Sequence, residues 1–123
     1  MKILGIDFGT KRIGLAWADT TLGVVLPFGI VKTTDSLIKL IKQEKVDRVV
    51  VGFPMGLNNT ENKNTERVKN VGFEIQKQTG LSVDYFDERF SSQAADAAGG
   101  GVSRDERSAM IILEGYLEKK KRE

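Results

Sequence analysis

The chain has 123 residues, enough for one domain over residues 1–123 that removes roughly two-thirds of its unfolded surface from water. Its composition, 40% hydrophobic and 29% charged, is that of a globular protein, and a net charge of +2 does not by itself argue for a nucleic-acid partner. With no cysteine and no histidine, the chain has no disulfides, no thiolate or imidazole metal ligands, no cysteine nucleophile and no histidine-based triad. Any catalysis must rest on carboxylates, lysines, hydroxyls or bound metals. No stretch is long and apolar enough to span a bilayer, and Met1-Lys2 leads directly into a strand too short for a signal peptide. The expected location is the cytoplasm, away from membranes.

Ile3 to Phe8 and Ile13 to Trp17 read as two paired strands joined by the turn Gly9-Thr10-Lys11-Arg12. Asp7 then stands at the tip of a buried strand, where an ionised carboxylate is costly unless a metal or a metal-bound phosphate compensates it. Trp17 belongs to the core. Val24 to Val31 reads as a third strand, and Pro27 inside it predicts an edge position or a bulge. Thr34 or Asp35 can cap a helix through about Glu44, with Leu37, Ile38, Leu40 and Ile41 as its apolar face. The β-branched run Val46 to Val51 predicts a strand buried on both faces.

Thr60 or Asn62 opens a longer helix toward Gln78, stopped by Gly80. Leu81 to Phe86 forms another strand and ends in Asp87-Glu88-Arg89. Ser91 or Ser92 starts a short Ala-rich helix closed by Gly99-Gly100-Gly101, which reads as a hinge, and a last helix runs from about Ser103 toward Lys119. Three strands followed by helix, strand, helix, strand and helix imply an α/β domain with a mixed sheet and helices on its faces. The run Lys119-Lys120-Lys121-Arg122 is a solvated helix end that suits the helix dipole.

Sites in open sheets of this kind gather at the carboxyl ends of strands. Asp7 and the pair Asp87-Glu88 both lie there. Asp7 alone reads equally well as a turn former, and Asp87 and Glu88 alone read as an acidic loop paired with Arg89. Their prediction at one sheet edge favours a site. Asp105 is a third candidate, although Ser103-Arg104-Asp105-Glu106 also fits a capping box. Asp105 shares a helical stripe with Ala109, Ile112 and Tyr116, while Glu106 falls near Met110, Leu113 and Leu117, so periodicity leaves both acids open as the inward one. Clustered carboxylates repel unless cations neutralise them, and magnesium or manganese suits such hard oxygen donors. Two ions about 4 Å apart would serve phosphodiester hydrolysis without histidine or cysteine. The loop after Gly52-Phe53-Pro54-Met55-Gly56 carries Asn58, Asn59, Thr60 and Asn62, which can donate hydrogen bonds to phosphate or sugar.

Four segments, in this order, resemble the YqgF family, also called RuvX or pre-16S rRNA nuclease: Gly5-Ile6-Asp7-Phe8-Gly9-Thr10-Lys11-Arg12-Ile13-Gly14-Leu15-Ala16, Val50-Val51-Gly52-Phe53-Pro54, Asp87-Glu88-Arg89, and Ile111-Ile112-Leu113-Glu114-Gly115-Tyr116-Leu117. The resemblance covers essentially the whole chain. It implies a ribonuclease H-like fold with a mixed five-stranded sheet flanked by helices, and a metal-dependent nuclease centre. Carried over position by position, it puts the acidic triad on Asp7, Glu88 and Asp105, holding magnesium or manganese as a pair of ions. The chain departs from the family's pattern twice. Ser91-Ser92 replaces a usual Thr-Thr pair and keeps the hydroxyls, and Asp105 is followed by Glu106-Arg107-Ser108-Ala109 where the family usually has x-x-Ala-Ala.

The leading expectation is therefore a metal-dependent endonuclease for structured RNA, with the 16S rRNA precursor or a ribosomal particle as the substrate the resemblance implies, acting as a monomer or weak homodimer. Lys11, Arg12, Arg89, Ser91, Ser92 and Asn58 would contact the nucleic acid. Three other readings compete. One is a Holliday-junction resolvase acting on DNA, which requires a two-fold dimer. Another is a nucleic-acid- or ribosome-binding module without activity. The third is an ATP-binding protein, since Asp7-Phe8-Gly9-Thr10 also resembles the first phosphate loop of the actin and sugar-kinase superfamily; the chain is too short for that superfamily's second domain.

Overall fold

Alternating small and branched apolar residues in the first two segments give each strand two buried faces, and the hairpin forms as the spacing predicts. Strands β1 (Lys2–Phe8) and β2 (Ile13–Asp19) pair antiparallel from Lys2↔Asp19 to Phe8↔Ile13. The computed structural model describes residues 1–9, 11–53, 63–87 and 103–121. Strand β3 (Val24–Val31) pairs antiparallel with β2, helix α1 (Thr34–Gln43) crosses over, and β4 (Arg48–Phe53) lies parallel to β1. Helix α2 (Lys63–Thr79) then leads to β5 (Val83–Asp87), parallel to β4, and α3 (Arg104–Lys121) follows. The mixed sheet has the order β3-β2-β1-β4-β5.

Pro27 meets both expectations for it. It lies in the edge strand, and the β2–β3 register skips Phe28 between Leu15↔Gly29 and Ala16↔Pro27. Several boundaries differ from the sequence reading. The cap of α1 is Thr33, one residue before Thr34: its backbone is extended and its hydroxyl accepts from the Ser36 N–H at 3.1 Å. Strand β4 begins at Arg48, because Val46 still belongs to the helix-ending turn; its N–H reaches the Ile41 carbonyl at 3.4 Å. Strand β5 begins at Val83, and Gly80, at φ 74°, ends α2 as expected, its N–H bonding the Gln76 carbonyl at 2.9 Å. The Ala-rich helix, the triple glycine and the asparagine loop lie outside the described residues.

The sheet buries its two faces against different helices. Leu4, Ile6, Leu15, Val49 and Val51 pack under α1 and α2, against Leu37, Ile41, Val68 and Ile75. Trp17 borders this core as expected, with the Lys2 ammonium 5.1 Å from its ring centroid. On the other face Ile3, Ala16, Ala18, Val50 and Phe86 pack against Ala109, Ile112, Leu113 and Tyr116 of α3. Among the described residues no helix is long and apolar enough to cross a membrane.

Candidate active site

Side chains alternate along a strand, so the neighbours of Gly5 fix the direction of Asp7. A Cβ at Gly5 would sit 3.1 Å from both the Ala109 carbonyl oxygen and Leu113 Cβ, so the odd-numbered positions of β1 face α3. Asp7 is the next of these, half-buried at the carboxyl end of the strand. Directly opposite it in register stands Gly14. A Cβ there would lie 2.1 Å from the Asp105 carbonyl oxygen and 2.9 Å from Asp105 Cβ. The first turn of α3 thus rests on the bare backbone of β2, one strand spacing from Asp7. Asp7 and Asp105, almost a hundred positions apart in the chain, share one face at one end of the sheet.

The ambiguity between Asp105 and Glu106 resolves here. The Ser103 hydroxyl accepts from the Glu106 N–H at 3.2 Å and donates to Glu106 Oε1 at 2.9 Å, so Glu106 is occupied in capping α3. Asp105 turns instead to the β1–β2 turn, where its Oδ2 lies 3.2 Å from Arg12 Nε. That side chain of Arg12 is 62% exposed and Asp105 only 25%, so the cation reaches in to the acid. The turn itself is closed by the Gly9 N–H bonding the Arg12 carbonyl at 2.9 Å, and a Cβ at Gly9 would come within 2.6 Å of that oxygen. Lys11 is exposed on the same turn.

Strand β5 runs parallel to β4, which runs parallel to β1, so Asp87 ends at the same sheet edge as Asp7. Asp84 and Phe86 face α3: the Tyr116 hydroxyl donates to Asp84 Oδ2 at 2.5 Å, and Gly115 packs on the Phe86 ring. Glu88, Arg89, Ser91, Ser92 and Asn58 lie outside the described residues. Among the described residues no group of three carboxylates converges to hold a metal. Asp7 and Asp105 are two hard oxygen donors of the kind magnesium and manganese prefer, and the pairing with Arg12 shows that Asp105 draws positive charge to itself.

Two cations near the turn went unnoticed in the sequence. Arg67 of α2 donates to the Gly9 carbonyl at 3.4 Å, and Lys32 follows β3; both border a groove with Lys11 and Arg12. They come from separate segments, and only the fold brings them together. A separate polar cluster lies farther along α3. There Arg48 Nη1 donates to the Tyr116 hydroxyl at 3.1 Å and sits 3.7 Å from Asp84. Burial, with the Asp84 hydrogen bond, holds the Tyr116 phenol above its ordinary value, against the opposing pull of Arg48.

Compared with known families, residues 1–119 match the model of RuvX, described as Holliday junction resolvase. The chain belongs to the RuvX family. Curated relatives of this RuvX chain carry the name "Putative pre-16S rRNA nuclease". One from Agathobacter rectalis is 38% identical, the match covering 96% of this chain and 95% of the relative; one from Maridesulfovibrio salexigens is 34% identical, covering 95% and 98%. Among solved structures, Thermus thermophilus RuvC in complex with a Holliday junction substrate superposes with a TM-score of 0.70 at 14% identity, covering 99% of this chain and 96% of that one. At that identity the likeness concerns the fold, which is ribonuclease H-like, as the RuvX resemblance implied.

Proposed function

We propose that this RuvX chain is a metal-dependent endonuclease hydrolysing phosphodiester bonds in structured RNA, with the 16S rRNA precursor as substrate. The observation that carries this reading is the approach of Asp7 and Asp105 on either side of Gly14, at the sheet edge where β5 ends with Asp87. Glu88, the residue after Asp87 in the sequence, is assigned to the site by family resemblance. Asp7, Glu88 and Asp105 would hold magnesium or manganese as a pair of ions. When bound, such ions supply Lewis-acid charge for the attack of water on the phosphodiester.

The chain's own groups do the rest. Asp7 and Asp105 are fixed to two elements that cannot part, because α3 is seated on Gly14. Arg12 is exposed enough to exchange Asp105 for a phosphate oxygen, and Lys11 engages the backbone beside it. Arg89, Ser91, Ser92 and Asn58 are assigned to substrate contact by family resemblance. In this reading the protein works in the cytoplasm as a monomer or weak homodimer, on the rRNA precursor or a ribosomal particle.

Asp7→Asn tests it. Cleavage of a pre-16S transcript in magnesium or manganese should fall about 10²–10³-fold, the loss typical of removing one charge-stabilising group, with the melting temperature little changed. Undiminished metal-dependent cleavage by this variant overturns the assignment. The family description gives a second reading, resolution of a four-way DNA junction. Symmetric cutting of such a junction by a dimer, with the transcript left intact, would favour it. Tight RNA binding with no metal-stimulated cleavage would favour a module without activity.

A further inference from the structure

The acids face α3, yet four cations gather on the other side of the same sheet edge. Lys11 and Arg12 of the turn, Lys32 after β3 and Arg67 of α2 line a groove of about 240 Å³, with Thr34 at the start of α1 and Phe8 in its wall. The groove's described lining holds no carboxylate. Arg12 is paired with Asp105, while among the described residues neither Lys11 nor Lys32 has an ion-pair partner. In a chain whose 19 basic and 17 acidic residues nearly cancel, four cations from three segments around one groove are a concentration, not a background. Like charges held together repel, and an anion seated among them removes that cost. The first residue of α1 adds the positive end of a ten-residue helix.

From these observations we infer that the groove is a second phosphate-binding site, taking the sugar-phosphate backbone of a single RNA strand beyond the bond that is cut. At about 240 Å³ it is smaller than the roughly 300–1,000 Å³ pockets that enclose cofactor-sized ligands, which suits a passing backbone better than an enclosed nucleotide. Arg12 decides the direction, because it both lines the groove and touches Asp105, so the turn is a rim shared by groove and acid site. A strand lying at Asp7 and Asp105 passes over that rim and continues between Lys32 and Arg67. This inference rests on the nuclease reading for its substrate, and its test is independent of cleavage.

The test measures binding of a fluorescein-labelled single-stranded oligouridylate to the full chain by anisotropy, in chelator, over a series of salt concentrations. Lys32 and Arg67 are both exposed, so the double variant Lys32→Ala/Arg67→Ala should fold as the parent does. Lys32→Gln/Arg67→Gln keeps more of each side chain's aliphatic stem and replaces it if melting shows a loss. We expect affinity to fall about tenfold, and the slope of log K against log salt to become shallower by about 1.4, or 0.7 for each lost phosphate contact on a single strand. Unchanged affinity and slope in the double variant overturn the inference, even if the parent cleaves RNA. Binding that depends on Lys32 and Arg67 in a protein that never cleaves supports the groove and rejects the nuclease reading. Should inorganic pyrophosphate bind at Lys32 and Arg67 while oligouridylate does not, the groove serves a small phosphate ligand and the RNA assignment falls.

Discussion

The two faces of the sheet solve the same packing problem by opposite means. Toward α1 and α2 the strands present branched aliphatics, Leu4, Ile6, Leu15, Val49 and Val51, and the helices answer with Leu37, Ile41 and Ile75. Toward α3 the first two strands present one branched residue, Ile3, and otherwise only small ones where the helix crosses: Gly5, Gly14, Ala16 and Ala18. The first face is filled by side chains, whereas on the second the helix backbone itself comes down on the sheet. A filled face tolerates repacking and carries stability. A bare one fixes the position of whatever the helix bears, and α3 bears Asp105. The face that holds the acids is thus built for placement, and the face behind it for cohesion.

Substitutions on the two faces should separate stability from chemistry. Leu37→Ala removes a fully buried side chain of α1, on the sheet face opposite the acids, and should cost about 2–5 kcal/mol in denaturant unfolding. Below its lowered melting temperature it should cleave RNA at the parent rate. Gly14→Ala should cost less stability, about 1–3 kcal/mol, since a methyl cannot coexist with backbone 2.1 Å away and α3 must lift. Its cleavage rate should nevertheless fall more than tenfold, because a displacement of about 1 Å at reacting groups can cost 10² in rate. If instead folded Leu37→Ala lost activity while Gly14→Ala kept it, the division of labour between the faces would be wrong.

That division was only half legible in the sequence. The filled face announces itself: Leu37, Ile38 and Ile41 repeat with helical spacing, and Val49 and Val51 sit in a β-branched run. The strands, the mixed sheet and an edge position or bulge at Pro27 followed from such local patterns, while the five-stranded ribonuclease H-like architecture followed from the family resemblance. The bare face is harder to read, because glycine signals a turn as readily as a close approach, and nothing local says that Gly14 receives a helix ninety residues downstream. Periodicity likewise left Asp105 and Glu106 equivalent, since both sit on stripes that touch apolar neighbours. What separates them is a hydroxyl, Ser103, that claims Glu106, and an arginine from another element that claims Asp105. Lys32 and Arg67 carried no signal at all, because a groove assembled from single residues of separate segments exists only after folding.

A smaller effect should appear farther along α3, where Tyr116 joins Arg48 and Asp84. Burial raises the Tyr116 phenol above 10.0, so the folded state favours its neutral form. The stability this contributes is fully present below pH of about 10 and is lost as pH rises through the higher folded value. Tyr85, also raised by burial, adds a loss of the same sign. Tyr116→Phe should therefore flatten, without abolishing, the decline of the melting temperature above pH of about 10, and should cost roughly 1 kcal/mol at neutral pH for the lost hydrogen bonds. Cleavage should be unmoved, because this end of α3 carries none of the acids. An unaltered alkaline slope would mean that Tyr116 does not titrate with unfolding.

The smallest expected effect is a gain, and it sharpens the comparison from the other side. Lys45, just past the end of α1, is held at φ 54°, a left-handed conformation that costs an L-residue roughly 1–2 kcal/mol. It is held there because the helix closes through it, with the Glu44 N–H on the Leu40 carbonyl at 2.9 Å and the Val46 N–H on that of Ile41. Lys45→Gly removes the clash and loses some of the gain to a more mobile unfolded chain, leaving about 0.5–1 kcal/mol, or 2–5 °C in melting temperature. Lys45→Ala keeps the Cβ and should gain nothing, which separates backbone strain from loss of the exposed lysine charge. Because α1 belongs to the filled face, the stabilised protein should show the parent's cleavage rate at a fixed temperature. A rate that rose or fell with this helix cap would show that the two faces are coupled through the sheet and that stability and placement cannot be assigned to separate sides.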